Sequence, residues 1–427
     1  MRAFYRVLAA IALLTAGCAG PPLSLDLMPA PGIYADGGLA PFVDRTPIES
    51  LPDFSLLYAT LREPAGDGDR ERFYANERGW ALRGGVARVE VGREGFTWEE
   101  ARRVSLAKDR PHRYPLEVTE VEEIGILECS VFTPQALLEA EAEAAEAFAA
   151  MIDERLARSR EQDVYIYVHG YKVAFENPLL VASELWHFLG YDGAMIAFSW
   201  PSTPSRWAYF ADVETAAWSA QGLRRLLELL AERTDARRVH VLAYSAGTRI
   251  VANALDQLAL MNHDRTREEI RARYRLGDVV LVASDVDRQL IGLYIENGLL
   301  RVQDRLTIYL SGTDKALGMS RWSLGGRRRI GESFSDEMSD EVRAFLRSTD
   351  ALDIIDVTEA EESDTGNGHA YFRKSPWASS DVLMTLSTDL DPAERGLVRD
   401  DASPIWTFPP DYIERLRAAL EESIPGS

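Results

Sequence analysis

The chain is short of cysteine, histidine and positive charge. Cys18 and Cys129 are its only cysteines among 427 residues, so a disulfide framework is excluded and at most one bridge could form. No CxxC pair or Cys/His cluster has the spacing of a zinc site, and no metal or organic cofactor is expected. Lys and Arg number 47 against 68 Asp and Glu, a formal charge of −21. Such a surface repels phosphate backbones, which argues against nucleic acid as a partner. The acidity otherwise speaks to solubility rather than to substrate. Long apolar runs are also missing. The run Val7–Ala16 has ten residues, against the roughly 20 needed to span a bilayer. With 46% apolar and 27% charged residues, the chain can bury a sizeable core and is neither disordered nor a polytopic membrane protein.

That apolar run follows Arg2 and Arg6 and ends Leu14-Thr-Ala-Gly-Cys18, the layout of a secretory signal. The small residues leading into Cys18 resemble a bacterial lipobox. The resemblance implies cleavage before Cys18, acylation of that cysteine and stable anchoring by several acyl chains. Ala19, rather than Asp, follows the cysteine. That implies a lipid-anchored place in the cell envelope, at the outer membrane or facing the periplasm. The alternative is an ordinary signal peptide cut near Ala16 or Ala19. With Cys18 taken up by the lipid, Cys129 would be an unpaired thiol.

The domain plan read from composition is a signal peptide (1–17), a Pro/Gly-rich tether (18–50), an N-terminal extension (51–160) and a main body (161–425). The extension is expected to hold strands at Phe54–Tyr58 and Val86–Val91 and a long, largely solvated helix over Gln135–Glu161. From residue 163 short apolar strands alternate with amphipathic helices. The strands are Val164–Val168, Ala194–Phe198, Val239–Ala243, Val279–Ala283, Leu306–Leu310 and Ile354–Val357. After Trp207, the residues Ala216, Ala220, Leu223, Leu227 and Leu230 fall on one helical stripe. This pattern predicts an α/β fold, a mainly parallel sheet with helices on both faces. Ligands of such sheets bind beyond the carboxyl ends of the strands, so the residues just after each strand carry the chemistry.

Three of those positions form a set. Val239–Ala243 runs into Tyr244-Ser245-Ala246-Gly247 and then a helix. That is a nucleophile elbow, G-x-S-x-G, with Ala243 in place of the first glycine. Val164–Val168 runs into His169-Gly170-Tyr171, a segment of the kind that supplies one oxyanion-hole amide while the residue after the serine supplies another. The expected donors are the N–H groups of Tyr171 and Ala246, and His169 is expected to hold the loop. Where the order is serine, acid, histidine, only His263 and His369 follow Ser245. His263 lies at the far end of the helix behind the serine. His369 follows the last strand in a Gly-rich loop and is the expected base. For the acid, Asp314 follows the next-to-last strand, and Asp285 or Asp287 follows the strand before it. Asp314 is preferred, with Asp285 as the alternative. The aromatic segment Trp200–Phe210 reads either as a wall or lid of an acyl pocket or as simple packing of a helix start.

The set of segments Y-A-T-L-R (58–62), E-R-G (77–79), Y-V-H-G-Y (167–171), F-S-W-P-S (198–202), L-A-Y-S-A-G-T-R (242–249), D-V-D (285–287), S-G-T-D-K-A-L (311–317) and G-H-A-Y-F (368–372) resembles a bacterial esterase/lipase-like α/β-hydrolase family of unknown function. The resemblance spans roughly residues 54–380. It implies the α/β-hydrolase fold and a Ser/Asp/His triad on Ser245, Asp314 and His369, with no settled substrate. Leu61 departs from the acidic residue usual at its position, and Tyr244 and Ala246 from the usual His and Met. The reading is therefore a serine hydrolase of carboxylesterase type, with a small-molecule or lipid acyl substrate and a membrane reached through its anchor. A non-catalytic envelope binding module on the same fold is the alternative.

Overall fold

The structure, a computed structural model, describes residues 24–35, 39, 41, 55–67, 69, 71–92, 96–135, 141–205, 208–323, 327–332, 338–364, 366–400 and 403–423. In chain order the strands are β1 (Ser24–Asp26), β2 (Ser55–Pro64), β3 (Tyr74–Val91), β4 (Pro115–Cys129), β5 (Asp163–Val168), β6 (Ala194–Ser199), β7 (Arg238–Tyr244), β8 (Leu276–Val282), β9 (Gln303–Leu310), β10 (Leu352–Asp356) and β11 (Trp406–Thr407). The helices are α1 (Trp98–Ser105), α2 (Glu141–Leu156), α3 (Glu176–Phe188), α4 (Tyr209–Arg233), α5 (Gly247–Met261), α6 (Arg267–Tyr274), α7 (Arg288–Glu296), α8 (Lys315–Ser323), α9 (Asp340–Ser348), α10 (Tyr371–Lys374), α11 (Pro376–Ser387) and α12 (Tyr412–Ser423).

The described strands all join one sheet, ordered β1-β4-β3-β2-β6-β5-β7-β8-β9-β10-β11. From β2 to β11 the neighbours are parallel; β3, β4 and β1 continue the β2 edge as an antiparallel wing. The mainly parallel α/β architecture expected from the strand–helix alternation is the one observed.

Side chains alternate across the strands and feed two cores. On β5, Val164, Ile166 and Val168 face the core made with α2, α4 and α5; Tyr165 and Tyr167 face the one made with α3, α11 and α12. Both faces are therefore covered, which explains why the central strands read as unbroken apolar runs. β5 lies between β6 and β7. The connection leaving β5 goes to β6 on one side, and the connection leaving β7 goes to β8 on the other. The carboxyl ends of β5 and β7 thus flank the crevice where such sheets place their ligands.

The N-terminal regions differ from the plan read from composition. Residues 24–35, assigned to the tether, are docked. β1 pairs with β4, and Leu27, Met28, Ile33 and Tyr34 are buried. Pro31 and Gly32 build a fitted turn rather than a flexible link: Tyr34 N–H donates to Pro31 O at 2.9 Å, and a methyl group on Gly32 would sit 2.8 Å from Ile413. Arg417 ties the turn down by donating to the carbonyls of Gly32 and Ala35. Cys18 and the lipobox lie outside the described residues. The extension shares the sheet of the main body, because β2 lies directly on β6. Within it β4 went unread, and the helix spans Glu141–Leu156 instead of reaching 161. Among the described residues no helix is long and apolar enough to cross a membrane.

Candidate active site

Ser245 stands at the end of β7 with φ 52°, in the left-handed region that costs a non-glycine residue about 1–3 kcal/mol. The strain is held from several sides. Ser245 N–H donates to Val282 O at 3.0 Å, and the Thr248 hydroxyl donates to Ser245 O at 2.5 Å. The bend also needs small neighbours. A methyl group on Gly247 would lie 2.4 Å from His169 O and 2.6 Å from Val168 O, and one on Gly170 would lie 3.0 Å from Ser245 Cβ. Ala243, fully buried, meets the same need at the position of the missing first glycine. Behind the bend α5 begins, and its N-terminus favours negative charge arriving at the serine.

His369 reaches this serine from the loop after β10. Its Nε2 lies 2.8 Å from Ser245 Oγ, and its Nδ1 lies 2.6 Å from Asp314 Oδ2. The other oxygen of Asp314 accepts the N–H groups of Ala316 and Leu317 at 2.9 and 3.1 Å, at the start of α8. One carboxylate oxygen is thereby fixed by the helix and the other is turned to the imidazole. Gly368, at φ 68°, lets the loop lie against Thr313, where a methyl group would come within 2.6 Å of a carbonyl oxygen; Lys315 N–H donates to Asn367 O at 3.0 Å. Ser245, Asp314 and His369 are all buried. The Tyr244 ring packs 5.0 Å from the His369 ring, and burial, with Tyr167 and Asp314 nearby, raises the Tyr244 pKa well above its ordinary value and keeps it neutral.

The structure therefore brings together Ser245, His369 and the preferred acid Asp314. An imidazole held by a carboxylate and bonded to a hydroxyl is the arrangement that activates a serine nucleophile. Tyr171 and Ala246 belong to the two segments that flank the serine, the first next to Gly170 and the second opening α5.

The alternative acid, Asp285, does not reach His369. Its carboxylate is taken by Arg249 Nε at 2.8 Å, the Tyr209 hydroxyl at 2.8 Å and the Ser320 hydroxyl. Asp287 caps α7 through the N–H groups of Gln289 and Leu290. His263 sits beyond the far end of α5, bonded to Leu260 O.

His169 is structural. Its Nδ1 donates to Gly170 O at 2.6 Å, its Nε2 accepts Trp200 N–H at 3.1 Å, and its ring stacks on Trp200 at 5.2 Å. Burial, reinforced by Arg62, pushes its pKa well below the ordinary histidine range, so it stays neutral in that role. The aromatic segment divides: Trp200 is core, the Tyr209 ring meets Tyr171 edge-on at 5.2 Å, and Phe210 is exposed. Asp212 accepts the Thr203 N–H at 3.1 Å, and burial raises its pKa to about 6.

Sequence reasoning missed two supporting residues. Arg62, wholly buried, donates to Ser199 Oγ, Asn76 Oδ1, Ser202 O and Val173 O, joining β2 to the loops after β5 and β6. Tyr371 bridges two strand ends beside His369. Both lie inside segments already singled out, 58–62 and 368–372, so a signal existed. Among the described residues no group of three or more His, Cys, Asp or Glu is placed to hold a metal ion.

No curated protein matches the chain. Two solved structures of esterase B from Lactobacillus rhamnosis are similar at 13% identity and a TM-score of 0.30. One is a C6-C4 SN3 inhibited form, covering 55% of this chain and 81% of its own; the other, inhibited with a C4-C4 SN3 tributyrin phosphonate, covers 61% and 99%. Likeness at that level bears on neither reaction nor substrate. A family model matches residues 144–386, more than half of the chain, and by it the protein belongs to the alpha/beta hydrolases of unknown function (DUF900).

Proposed function

We propose that the chain is a serine hydrolase that cleaves carboxylic esters, with Ser245 as nucleophile, His369 as general base and acid, and Asp314 as the group that orients the imidazole. One observation carries the reading: the unbroken line Ser245 Oγ, His369 Nε2 at 2.8 Å, His369 Nδ1, Asp314 Oδ2 at 2.6 Å, set on a strained turn at the carboxyl edge of the sheet.

In the proposed reaction Ser245 Oγ attacks the acyl carbonyl carbon while its proton passes to His369 Nε2. The carbonyl electron pair moves to oxygen, where the N–H groups of Tyr171 and Ala246 and the α5 N-terminus receive the charge. Collapse expels the alcohol, which leaves with the proton held on His369. Water then repeats the sequence on the acyl-enzyme and releases the acid. Asp314 stabilises the imidazolium in both halves. Substrate is proposed only as an acyl ester of small-molecule or lipid type, and location as the cell envelope, through a lipid on Cys18.

A fluorophosphonate probe tests the reading directly. A single adduct on Ser245 in the folded protein, together with hydrolysis of p-nitrophenyl esters that Ser245→Ala abolishes, is the expected result. An unlabelled serine in folded protein would point to a binding module instead. Metabolic labelling with palmitate, expected to disappear in Cys18→Ser, tests the anchor.

A further inference from the structure

Asp285 sits behind the proposed active site rather than in it. Its side chain is buried at the carboxyl end of β8, and each of its hydrogen-bond donors comes from a different segment of the site. Arg249 Nε donates to Oδ2 at 2.8 Å from the elbow helix, four residues past Ser245, so one turn of α5 separates this anchor from the nucleophile. The Tyr209 hydroxyl donates to the same oxygen at 2.8 Å, and the Tyr209 ring packs edge-on against Tyr171 at 5.2 Å. The Ser320 hydroxyl donates to Oδ1 from α8, the helix that begins one residue after Asp314, and Tyr209 and Ser320 oxygens lie 2.7 Å apart. Arg329 Nε lies 3.6 Å from Oδ1. The Asp285 backbone adds a link, its N–H pointing to Thr248 Oγ1 at 3.3 Å while that hydroxyl donates to Ser245 O.

Resting on the serine-hydrolase reading, we propose that Asp285 is a positioning residue that locks the nucleophile helix, the Tyr171 loop and the helix that follows Asp314 into one register. A buried carboxylate is costly unless it is paired and fully hydrogen-bonded, and here every bond it makes ends on a different moving part of the chemistry. Alignment is the quantity at stake, since a shift of about 1 Å in an active site can cost about 10²-fold in rate. The carboxylate binds no substrate and exchanges no proton with it; it acts through Arg249, Tyr209 and Ser320.

The test is steady-state hydrolysis of a p-nitrophenyl ester by the wild type and by Tyr209→Phe, Ser320→Ala, Asp285→Asn and Ser245→Ala, each with its melting temperature. Asp285→Asn leaves the half-buried Arg249 and the buried Arg329 facing a neutral amide and can fail to fold, so the single-hydroxyl variants carry the decision. Tyr209→Phe and Ser320→Ala are expected to lower kcat at least tenfold, to hold KM within twofold and to melt within a few degrees of the wild type. The double variant Tyr209→Phe/Ser320→Ala should fall further. Wild-type kcat in both single variants, with Asp285→Asn losing only stability, overturns the proposal and leaves the hydrolase reading intact. A rise in KM without loss of kcat also overturns it, by making Tyr209 a substrate contact. A wild-type protein that neither hydrolyses the ester nor labels on Ser245 defeats the underlying reading and this proposal together.

Discussion

Two residues beyond His369, Tyr371 turns its hydroxyl into a clip between neighbouring strands: it accepts Ala283 N–H at 2.8 Å and donates to Tyr309 O at 3.0 Å. The imidazole is thus carried on a segment pinned to the ends of β8 and β9. Tyr371→Phe strands two buried backbone groups, each worth about 1–3 kcal/mol. Urea unfolding is expected to show a loss of about 2–4 kcal/mol, with lower kcat because the loop holding His369 is freed. Unchanged stability would mean that the clip is not made in solution.

Asp314 and Asp285 are expected to separate cleanly when each is changed to asparagine. Asp314→Asn presents the wrong tautomer to Ser245 and should lower kcat by about 10⁴-fold with little effect on melting, as the orienting acid of such a triad does. Equal losses of activity and stability in the two variants would speak against distinct roles.

The glycines around the serine give a graded pair. Alanine at Gly247 meets two backbone carbonyls at 2.4 and 2.6 Å, which cannot swing aside. Gly247→Ala should cost about 3 kcal/mol or more. Alanine at Gly170 meets Ser245 Cβ at 3.0 Å. Gly170→Ala should fold, within about 1 kcal/mol of the wild type, yet lose at least about tenfold in kcat through displacement of the serine. Thermal melts beside esterase assays check both.

Acid sensitivity should arise in part from His187. Its Nε2 lies 2.5 Å from Ser105 Oγ, which itself donates to Ala101 O, and its Nδ1 lies 2.8 Å from the Tyr191 hydroxyl. The ring is thus satisfied in its neutral form. Burial, with Arg110 adding to it, holds its pKa down to about 3. The unfolded chain takes up a proton near pH 6.5 and the folded one does not, so stability falls as pH drops from 6.5 towards 3. The slope from this group is about 1.4 kcal/mol per pH unit. His187→Gln removes it. Parallel stability–pH curves for wild type and variant would contradict the assignment.

How much of this was legible depended on burial. The six strands β5–β10 announced themselves because both of their faces are covered, and Val164–Val168 or Val239–Ala243 could be little else. That Ser245, Asp314 and His369 lie together was readable from strand ends and chain order. β4 escaped because it alternates acid with apolar residues, with Glu117, Glu120, Glu122 and Glu123 among Leu116, Val118 and Val121, as a wing strand with one face in water does. The turn at Pro31-Gly32 read as a linker because its fit depends on Ile413 and Arg417, more than 370 residues away and invisible to local pattern. Asp285 reads as a candidate acid because sequence shows which carboxylates follow strands but not which way their oxygens turn.

The parallel pairing of β2 with β6, from Leu57 opposite Ile196 to Thr60 opposite Ser199, has a practical corollary. A fragment starting at residue 144, where the family match begins, would leave the edge of β6 away from β5 bare and strip Arg62 from the loops it ties. An uncovered flank of that kind recruits other chains. Expression trimmed to the matched region should therefore give more inclusion bodies or larger oligomers than the chain that keeps its first strands.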